Sequence, residues 1–393
     1  MPESKTKHPG SLGELVRLFL KLGVIGFGGP AATIAMMDDE IVSRRGWLSR
    51  EHFLDLVGAT NLIPGPNSTE MTMHIGYERR GWAGLITAGS CFIVPAALMT
   101  GTLGWLYVQY GTLPEVEPFL RGIKPAVIAV ILGALWRLGK AALKGWTLVP
   151  IGLAVAAALM LGVNEVIALL GGGLLGMLWL RGYEALQSGR GMRAGLMIPL
   201  LASSGVGGLL TWTAQAASQE IPLWKLGLFF LKVGAVLYGS GYVLIAFLEG
   251  DLVQGYGWLT EQQLLDAIAI GQFTPGPVLT TATFIGVMLA GWPGGVVATV
   301  AIFLPSFFFV AILNPIIPKL RRSPWTADFL DAVNVSAVAL MLVVTVKLGV
   351  AVLNAWIPWM IFALAMVAAF RFKLNAAYLV IGGAVLGWLL GLI

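Results

Sequence analysis

Charged residues, cysteine and histidine are all scarce in this chain of 393 residues. Only 11% of the residues are charged and 57% are hydrophobic, whereas a soluble domain carries roughly 25% charged residues to cover its surface. The single cysteine, Cys91, excludes an intrachain disulfide and a redox pair. Three scattered histidines without an HExxH motif argue against a zinc enzyme, and no P-loop motif for ATP is present. We therefore expect neither an enzyme nor a bound metal or cofactor.

Long apolar runs dominate the sequence instead. Runs close to the ~20 residues that span a bilayer recur along the chain. The clearest occupy residues 83–109, 145–163, 166–180, 294–317 and 376–393. Because these runs are continuous, unlike the alternating strands of a membrane β-barrel, they predict an all-α multi-pass protein in a lipid bilayer. The net charge of +5 fits the excess of Lys and Arg in cytoplasmic loops, so we expect no nucleic-acid partner.

The chain contains an internal repeat. The stretch FLKLGVIGFGG at residues 19–29 matches FLKVGAVLYGS at residues 230–240, which is an offset of 211. The same offset carries the Pro-Gly-Pro at 64–66 to the Pro-Gly-Pro at 275–277. After one deletion the offset becomes 210, and Gly, Pro and Trp residues continue to match. These matches predict a fused duplication with two homologous halves.

The repeat divides the chain into four parts. A polar tail at residues 1–11 precedes the first repeat at 12–180, and the second repeat occupies 222–393. The linker at 181–221 contains an apolar stretch, residues 194–214, that adds either one further crossing or none. We expect about ten membrane crossings in total.

Loop charges predict that the two halves have opposite orientations in the membrane. The loop at residues 43–50 carries three arginines, whereas its equivalent at 254–261 carries none. The charges are reversed further along, where residues 110–118 are acidic and the equivalent stretch at 318–324 is basic. Since Lys and Arg mark the cytoplasmic side, this pattern indicates the inverted repeat of secondary transporters.

Each Pro-Gly-Pro interrupts an apolar segment near its middle. Basic residues flank the first of these segments at Arg50 and Arg79, so both of its ends are expected on the cytoplasmic side. This predicts a re-entrant hairpin that climbs to mid-membrane, breaks, and returns through a second half-helix starting at Asn67. The hairpin of the second half, at 264–290, should enter from outside, so that the two breaks meet near the midplane. An ordinary proline kink repaired by Ser and Thr hydroxyls is the alternative.

The breaks are candidate sites for an oxyanion. A helix that begins inside the membrane presents free N–H groups and the positive end of its dipole, and unpaired backbone is tolerated there only in a buried or wet place. Neutral donors surround both breaks, and glycines form a second discontinuity in the first segment of each half. The candidate binding residues are Gly28, Gly29, Pro64, Gly65, Pro66, Asn67, Ser68, Thr69, Gly239, Ser240, Gln272, Thr274, Pro275, Gly276, Pro277, Thr280 and Thr281.

Three charged residues stand out in apolar surroundings. Lys21 and Lys232 occupy equivalent positions and either supply positive potential to the site or extend to the membrane surface. Glu70 follows the first break and has Thr281 as its equivalent. Because a carboxyl group that is desolvated in a cavity takes up a proton more readily, Glu70 is a candidate for proton coupling; the alternative is a favourable place in the first turn of its helix.

The paired motifs resemble those of the chromate ion transporter family, in its long two-domain form. They are FGGP at 27–30, LIPGPNSTEM at 62–71, LYGSGYVLIAFL at 237–248 and GQFTPGPVLTTATFIG at 271–286, and the resemblance covers residues 12–393. The motifs of the family fall on Phe27–Pro30, on Pro64–Pro66 with Asn67, Thr69 and Glu70, on Gly239–Gly241, and on Pro275–Pro277 with Thr280 and Thr281. IPGP replaces the usual LPGP of the family, which leaves the chemistry unchanged because both residues are apolar.

The resemblance implies a multi-pass protein of the cytoplasmic (inner) membrane that exports chromate and confers chromate resistance. Sulfate, a similar tetrahedral dianion, is implied as a competitor. Nothing in the residue spacing separates the two anions, so transport of sulfate or another oxyanion, by uptake or exchange, is the alternative function. A homodimer is a further expectation that the sequence does not test.

Overall fold

The computed structural model describes residues 11–27, 29–111, 113, 115–187, 221–238, 241–313 and 323–391. Within these ranges the chain is helical and contains no β-strand, as the sequence predicts. The Gly28, Gly239 and Ser240 positions and most of the linker lie outside the described residues.

The helices of the two halves follow one another in the same order. The first half consists of α1 (Leu12–Ile25), α2 (Gly29–Met37), a π-helical segment (Asp38–Arg44), α3 (Arg50–Thr60), α4 (Asn67–Tyr110), α5 (Glu117–Ala142), α6 (Val149–Met160) and α7 (Glu165–Gln187). The second half consists of α8 (Leu223–Val236), α9 (Leu244–Phe247), a π-helical segment (Leu248–Gly255), α10 (Glu261–Phe273), a 3-10 turn (Val278–Thr280), α11 (Thr281–Leu313), α12 (Pro324–Val352), α13 (Trp356–Arg371) and α14 (Ala376–Gly391).

The repeat extends to backbone details. Ser49 caps the N-terminus of α3, and its equivalent Thr260 caps α10, each accepting a backbone N–H in the first turn. The long helices α4 and α11 both contain a kink, at Gly81 with φ +57° and at Gly291 with φ +62°. Only glycine adopts such angles without strain. Each long helix is therefore a short arm followed by a full crossing.

The first Pro-Gly-Pro segment forms the predicted re-entrant hairpin. His52, near the start of α3, lies 3.7 Å from the carboxylate of Glu78, at the end of the first arm of α4. Next to it, the guanidinium of Arg79 stacks on Trp47 at 4.6 Å. Since the start and the end of the hairpin are in contact, both lie on the same side of the protein.

The two halves are inverted relative to each other. The equivalent helices α4 and α11 pack against each other in antiparallel directions: Gly89 lies beside Phe307, Gly101 beside Trp292, and Gly104 beside Phe284. Equivalent helices that cross a membrane in opposite directions can only belong to halves of opposite orientation. The inverted repeat predicted from the loop charges is thus confirmed.

The protein is a multi-pass membrane protein. Five described helices are long and apolar enough to cross a bilayer, namely those at 67–110, 117–142, 165–184, 278–312 and 324–352. Three shorter apolar helices, at 146–160, 356–371 and 376–391, accompany them. The described residues thus contain eight apolar helices of these two kinds, compared with the predicted total of about ten crossings. Large apolar side chains such as Trp82, Leu98 and Phe308 remain exposed on the outside of these helices.

Candidate functional site

Both Pro-Gly-Pro motifs break the chain between two helices. Helix α3 ends at Thr60 and α4 begins at Asn67, whereas α10 ends at Phe273 and a 3-10 turn begins at Val278. The six residues of the two motifs are buried. The breaks are therefore enclosed by protein, which is the condition under which membrane helices tolerate them.

The glycines of the two breaks bond to the opposite halves. The Gly65 N–H donates to the carbonyl oxygen of Leu237 at 2.7 Å, and the Gly276 N–H donates to that of Gly26 at 3.0 Å. Gly26 and Leu237 are equivalent positions at the offset of 211, so each break is tied to the end of the first helix of the other half. These two amides, which the sequence assigns to the anion, hold the halves together in this structure.

The threonines around the second break bond to their own backbone. Thr280 donates to the carbonyl of Pro277 and Thr281 to that of Val278, both at 2.8 Å, and Thr274 donates to Gly271 at 3.3 Å. This is the backbone repair that the alternative interpretation of the breaks expects. After the first break, by contrast, the Thr69 hydroxyl is buried and has no hydrogen-bond partner among the described residues.

A cavity of about 880 Å³ lies beside the first break. Asn61 at the end of α3 and Asn67 at the start of α4 line it, and the amide of Asn67 donates to the side-chain oxygen of Asn61 at 2.6 Å. The opposite wall includes Arg137 on α5, Tyr242 of the second half and Asn334 on α12. Residues of both halves thus surround one chamber, whose largely apolar wall contains these polar side chains.

The second break borders a different cavity from the first. Thr274 and Pro275 line a pocket of about 440 Å³ together with apolar residues such as Phe27, Leu98 and Met99. The two breaks therefore border different cavities, rather than the single chamber that the sequence predicts. Gly29, with φ +78°, approaches the larger cavity, because a Cβ there would lie 3.6 Å from the Tyr242 hydroxyl.

Glu70 lies inside the protein near the first break and does not line the cavity. Its side chain is fully buried, and a Cβ added at Gly65 would meet both its carboxylate and the hydroxyl of Ser306. Ser306 belongs to α11 of the other half, so this carboxyl group lies where the first break contacts the second repeat. Its role in proton coupling stays a prediction.

Comparison with known proteins identifies the family of this chain. The sequence profile described as chromate transporter matches residues 13–177 and again residues 224–388, one match for each half. The chain belongs to the chromate transporter family. No solved structure matches the chain.

Members of the chromate transporter family match this chain over nearly its full length. A probable chromate transport protein of Synechococcus elongatus is 32% identical over 97% of this chain and 96% of its own length. A chromate transport protein of Cupriavidus metallidurans is 33% identical over 96% of this chain and 92% of its own length. One from Pseudomonas aeruginosa is 31% identical, with coverages of 97% and 93%.

The two equivalent lysines of this family member are paired with carboxylates. Lys21 lies 2.6 Å from Glu40, and Lys232 lies 2.6 Å from Asp251. Both lysines remain half exposed, at 50% and 39%. Each ion pair joins the first helix of its repeat to the π-helical segment, and a paired lysine contributes little net positive potential to the cavity.

The Lys21–Glu40 pair should make the folded protein less stable as the pH falls into the acid range. The hydrogen bond from Lys21 lowers the pKa of Glu40, which lies outside the long apolar helices. Because the folded-state pKa is depressed, the stabilisation is present above the unfolded pKa of about 4.3 and is lost as pH falls through the lower folded value.

We expect Glu40→Gln to lower the free energy of unfolding by about 1 kcal/mol at pH 7, since Lys21 is half exposed. The variant should also lose less stability than the wild type when the pH falls below about 4. Thermal unfolding in detergent from pH 7 to pH 3 measures both effects. Asp39→Asn, which breaks an exposed pair with Arg44, is the matched control and should change little. An equal loss in both variants contradicts the prediction.

Sequence reasoning missed most polar residues of the cavity wall, among them Arg137, Tyr242 and Asn334. A signal for Arg137 was present, because a charged residue within an apolar run is by default a candidate for function. Tyr242 and Asn334 carried no signal of their own. Their place depends on how the second half packs against α5, which no local pattern specifies.

Proposed function

We propose that this member of the chromate transporter family is a secondary transporter that exports chromate across the cytoplasmic membrane and confers chromate resistance. Membership of the family and the printed names of the relatives support chromate as substrate. The single structural observation that carries the proposal is the cavity between the two halves, beside the first broken helix, whose wall contains asparagines and an arginine.

The chemistry of the cavity wall suits an oxyanion. The side-chain amides of Asn61, Asn67 and Asn334 and the guanidinium of Arg137 line the chamber. Amide groups donate hydrogen bonds to anionic oxygens, and arginine presents several N–H donors in a planar fork. A volume of about 880 Å³ holds a small oxyanion together with water.

The position of the cavity fits the first step of export, which is binding of the anion from the cytoplasm. Arg50, Arg79, Lys140 and Lys144 mark the end of the first half that the positive-inside rule assigns to the cytoplasm, and Lys144 itself belongs to the cavity wall. The cavity therefore receives its anion from the cytoplasmic side. Rocking of one inverted half against the other would then open it outward, and the reciprocal bonds of Gly65 and Gly276 would make the two breaks move together.

Flux through purified protein in liposomes tests the function. Labelled chromate should enter liposomes that contain the protein faster than empty ones, and unlabelled sulfate should compete. In cells, expression should raise growth on chromate and lower cellular chromium, as expected for an exporter. Sensitisation with higher cellular chromium would show uptake instead, and flux of sulfate without flux of chromate would show a sulfate transporter.

A further inference from the structure

We propose that the oxyanion binds at one asymmetric site per chain, where Arg137 is the cationic ligand and Tyr242 and Gln272 position its guanidinium. This inference rests on the proposed function, because it names the residues that hold the transported anion. It also predicts that each chain binds one anion, because the inverted repeat duplicates the breaks but not this site.

Arg137 lies close to a hydroxyl of the second half. The Tyr242 hydroxyl, on a residue that is 6% exposed, donates to the Oε1 of Gln272 at 3.2 Å. Arg137 interacts electrostatically with Tyr242, and both residues line the cavity. The hydrogen bond to Gln272 directs the Tyr242 proton away from Arg137, so the phenolic oxygen can face the guanidinium, which only donates.

The cavity wall contains a cation without a carboxylate partner. Lys144 is paired with Asp331 at 2.6 Å, so these two residues of the wall neutralise each other. In the described part of the chain, Arg137 forms no salt bridge with a carboxylate. A small anion supplies the negative charge that would balance Arg137.

The first arm of α4 points its N-terminus at the same chamber. Its N-cap residue is Pro66, which offers no side-chain acceptor, and Asn67 lines the cavity. The first amides of a helix have no partner within the helix, and an anion satisfies them. Arg137 and this helix start thus face the cavity from different elements.

The second half lacks each of these features. Lys347, the equivalent of Arg137 at the offset of 210, lies 3.7 Å from the buried carboxylate of Glu249. Val278 takes the place of Asn67 and begins a 3-10 turn rather than an α-helix. The pocket beside the second break is mostly apolar. One half therefore holds the anion, while the other supplies Tyr242 and Gln272 as support.

Equilibrium binding to the purified full-length protein tests the site. We expect Arg137→Gln to weaken chromate binding roughly 10- to 100-fold, the range for a lost hydrogen bond to a charged group, and Arg137→Lys to retain part of the affinity. Two variants with the same change in charge serve as controls. Lys140→Gln removes a cation that stacks on Trp136 one turn further along α5, and Lys347→Gln changes the equivalent position of the other half; both should bind as the wild type does.

A second variant separates positioning from folding. Tyr242→Phe should raise the KM for chromate in liposomes roughly tenfold, while the maximal rate and the melting temperature stay unchanged. A purely structural role of Tyr242 would instead lower the melting temperature.

The outcomes distinguish this site from the proposed function. Binding of one chromate per chain that is lost only in the Arg137 variants supports the site. Wild-type affinity in Arg137→Gln, or two anions per chain with one lost in Lys347→Gln, overturns the site and leaves export standing. Wild-type protein that neither binds nor moves chromate overturns both proposals, and sulfate measured in parallel shows whether the same residues hold that anion.

Discussion

Substituting alanine for Gly276 should abolish chromate transport and lower the free energy of unfolding by about 3 kcal/mol. The residue has φ +88°, which costs an L-amino acid about 1–2 kcal/mol. The added Cβ would also lie 2.6 Å from the Cβ of Ala96 on α4, and overpacking a rigid interior typically costs about 1–3 kcal/mol. Because the Gly276 amide bonds to Gly26 of the other half, the backbone cannot shift without breaking that contact.

Two further variants make this prediction specific. Gly257→Ala tests the backbone term alone, because Gly257 has φ +63° and nothing lies within 4 Å of the added Cβ; a loss of about 1 kcal/mol is expected. The double variant Ala96→Gly with Gly276→Ala removes the clashing methyl group and should recover much of the stability and transport, as a coupled pair does. Thermal unfolding and flux in liposomes provide the readouts. If Gly276→Ala changes stability and flux no more than Gly257→Ala does, the close contact between the halves at Gly276 is not needed for transport.

Much of the fold could be predicted because its determinants are local or repeated. The Pro-Gly-Pro motifs break helices wherever they occur, and their recurrence at a fixed offset predicts two equivalent halves. The loop charges predicted that the two halves have opposite orientations, and the antiparallel packing of α4 on α11 confirms it. The basic residues Arg50 and Arg79 predicted the re-entrant hairpin, which the contact between His52 and Glu78 confirms.

The partners of individual polar groups could not be predicted in the same way. A sequence shows that Gly65 has an N–H to satisfy, but only the packed halves show that Leu237 accepts it. The hydroxyls of Thr280 and Thr281 are equally able to bind an anion or their own backbone, and the short local contact takes precedence here. Arg137 lies near the end of an apolar helix, where a cation that only extends to the surface has the same sequence signature.

The breaks also differ in ways that the repeat conceals. Equivalent positions carry Asn67 and Val278, and Glu70 and Thr281, so the first break is followed by an amide and a carboxyl group where the second has an apolar side chain and a hydroxyl. This physical asymmetry is the reason to expect that substitutions at equivalent positions will have unequal effects.

Glu70→Gln should remove the whole component of chromate flux that a pH gradient drives. The Glu70 carboxyl is fully buried, and neither of its oxygens has a hydrogen-bond partner among the described residues. It lies between Gly65 of the first break and Ser306 of the other half, so gain or loss of a proton there alters the contact at which the halves meet. Glutamine keeps the size and polarity of the side chain but cannot carry the proton.

The matched control for Glu70→Gln is another buried carboxyl group away from the breaks. Glu249→Gln changes a side chain that is 1% exposed and that contacts Lys347 and Gln254; its flux should still respond to the gradient. Both variants are measured in liposomes with and without a pH difference, and chromate binding at equilibrium should persist in each. If the Glu70→Gln protein responds to the gradient as the wild type does, the coupling proton is carried elsewhere. If it loses binding as well as the response, Glu70 supports the anion site rather than the coupling step.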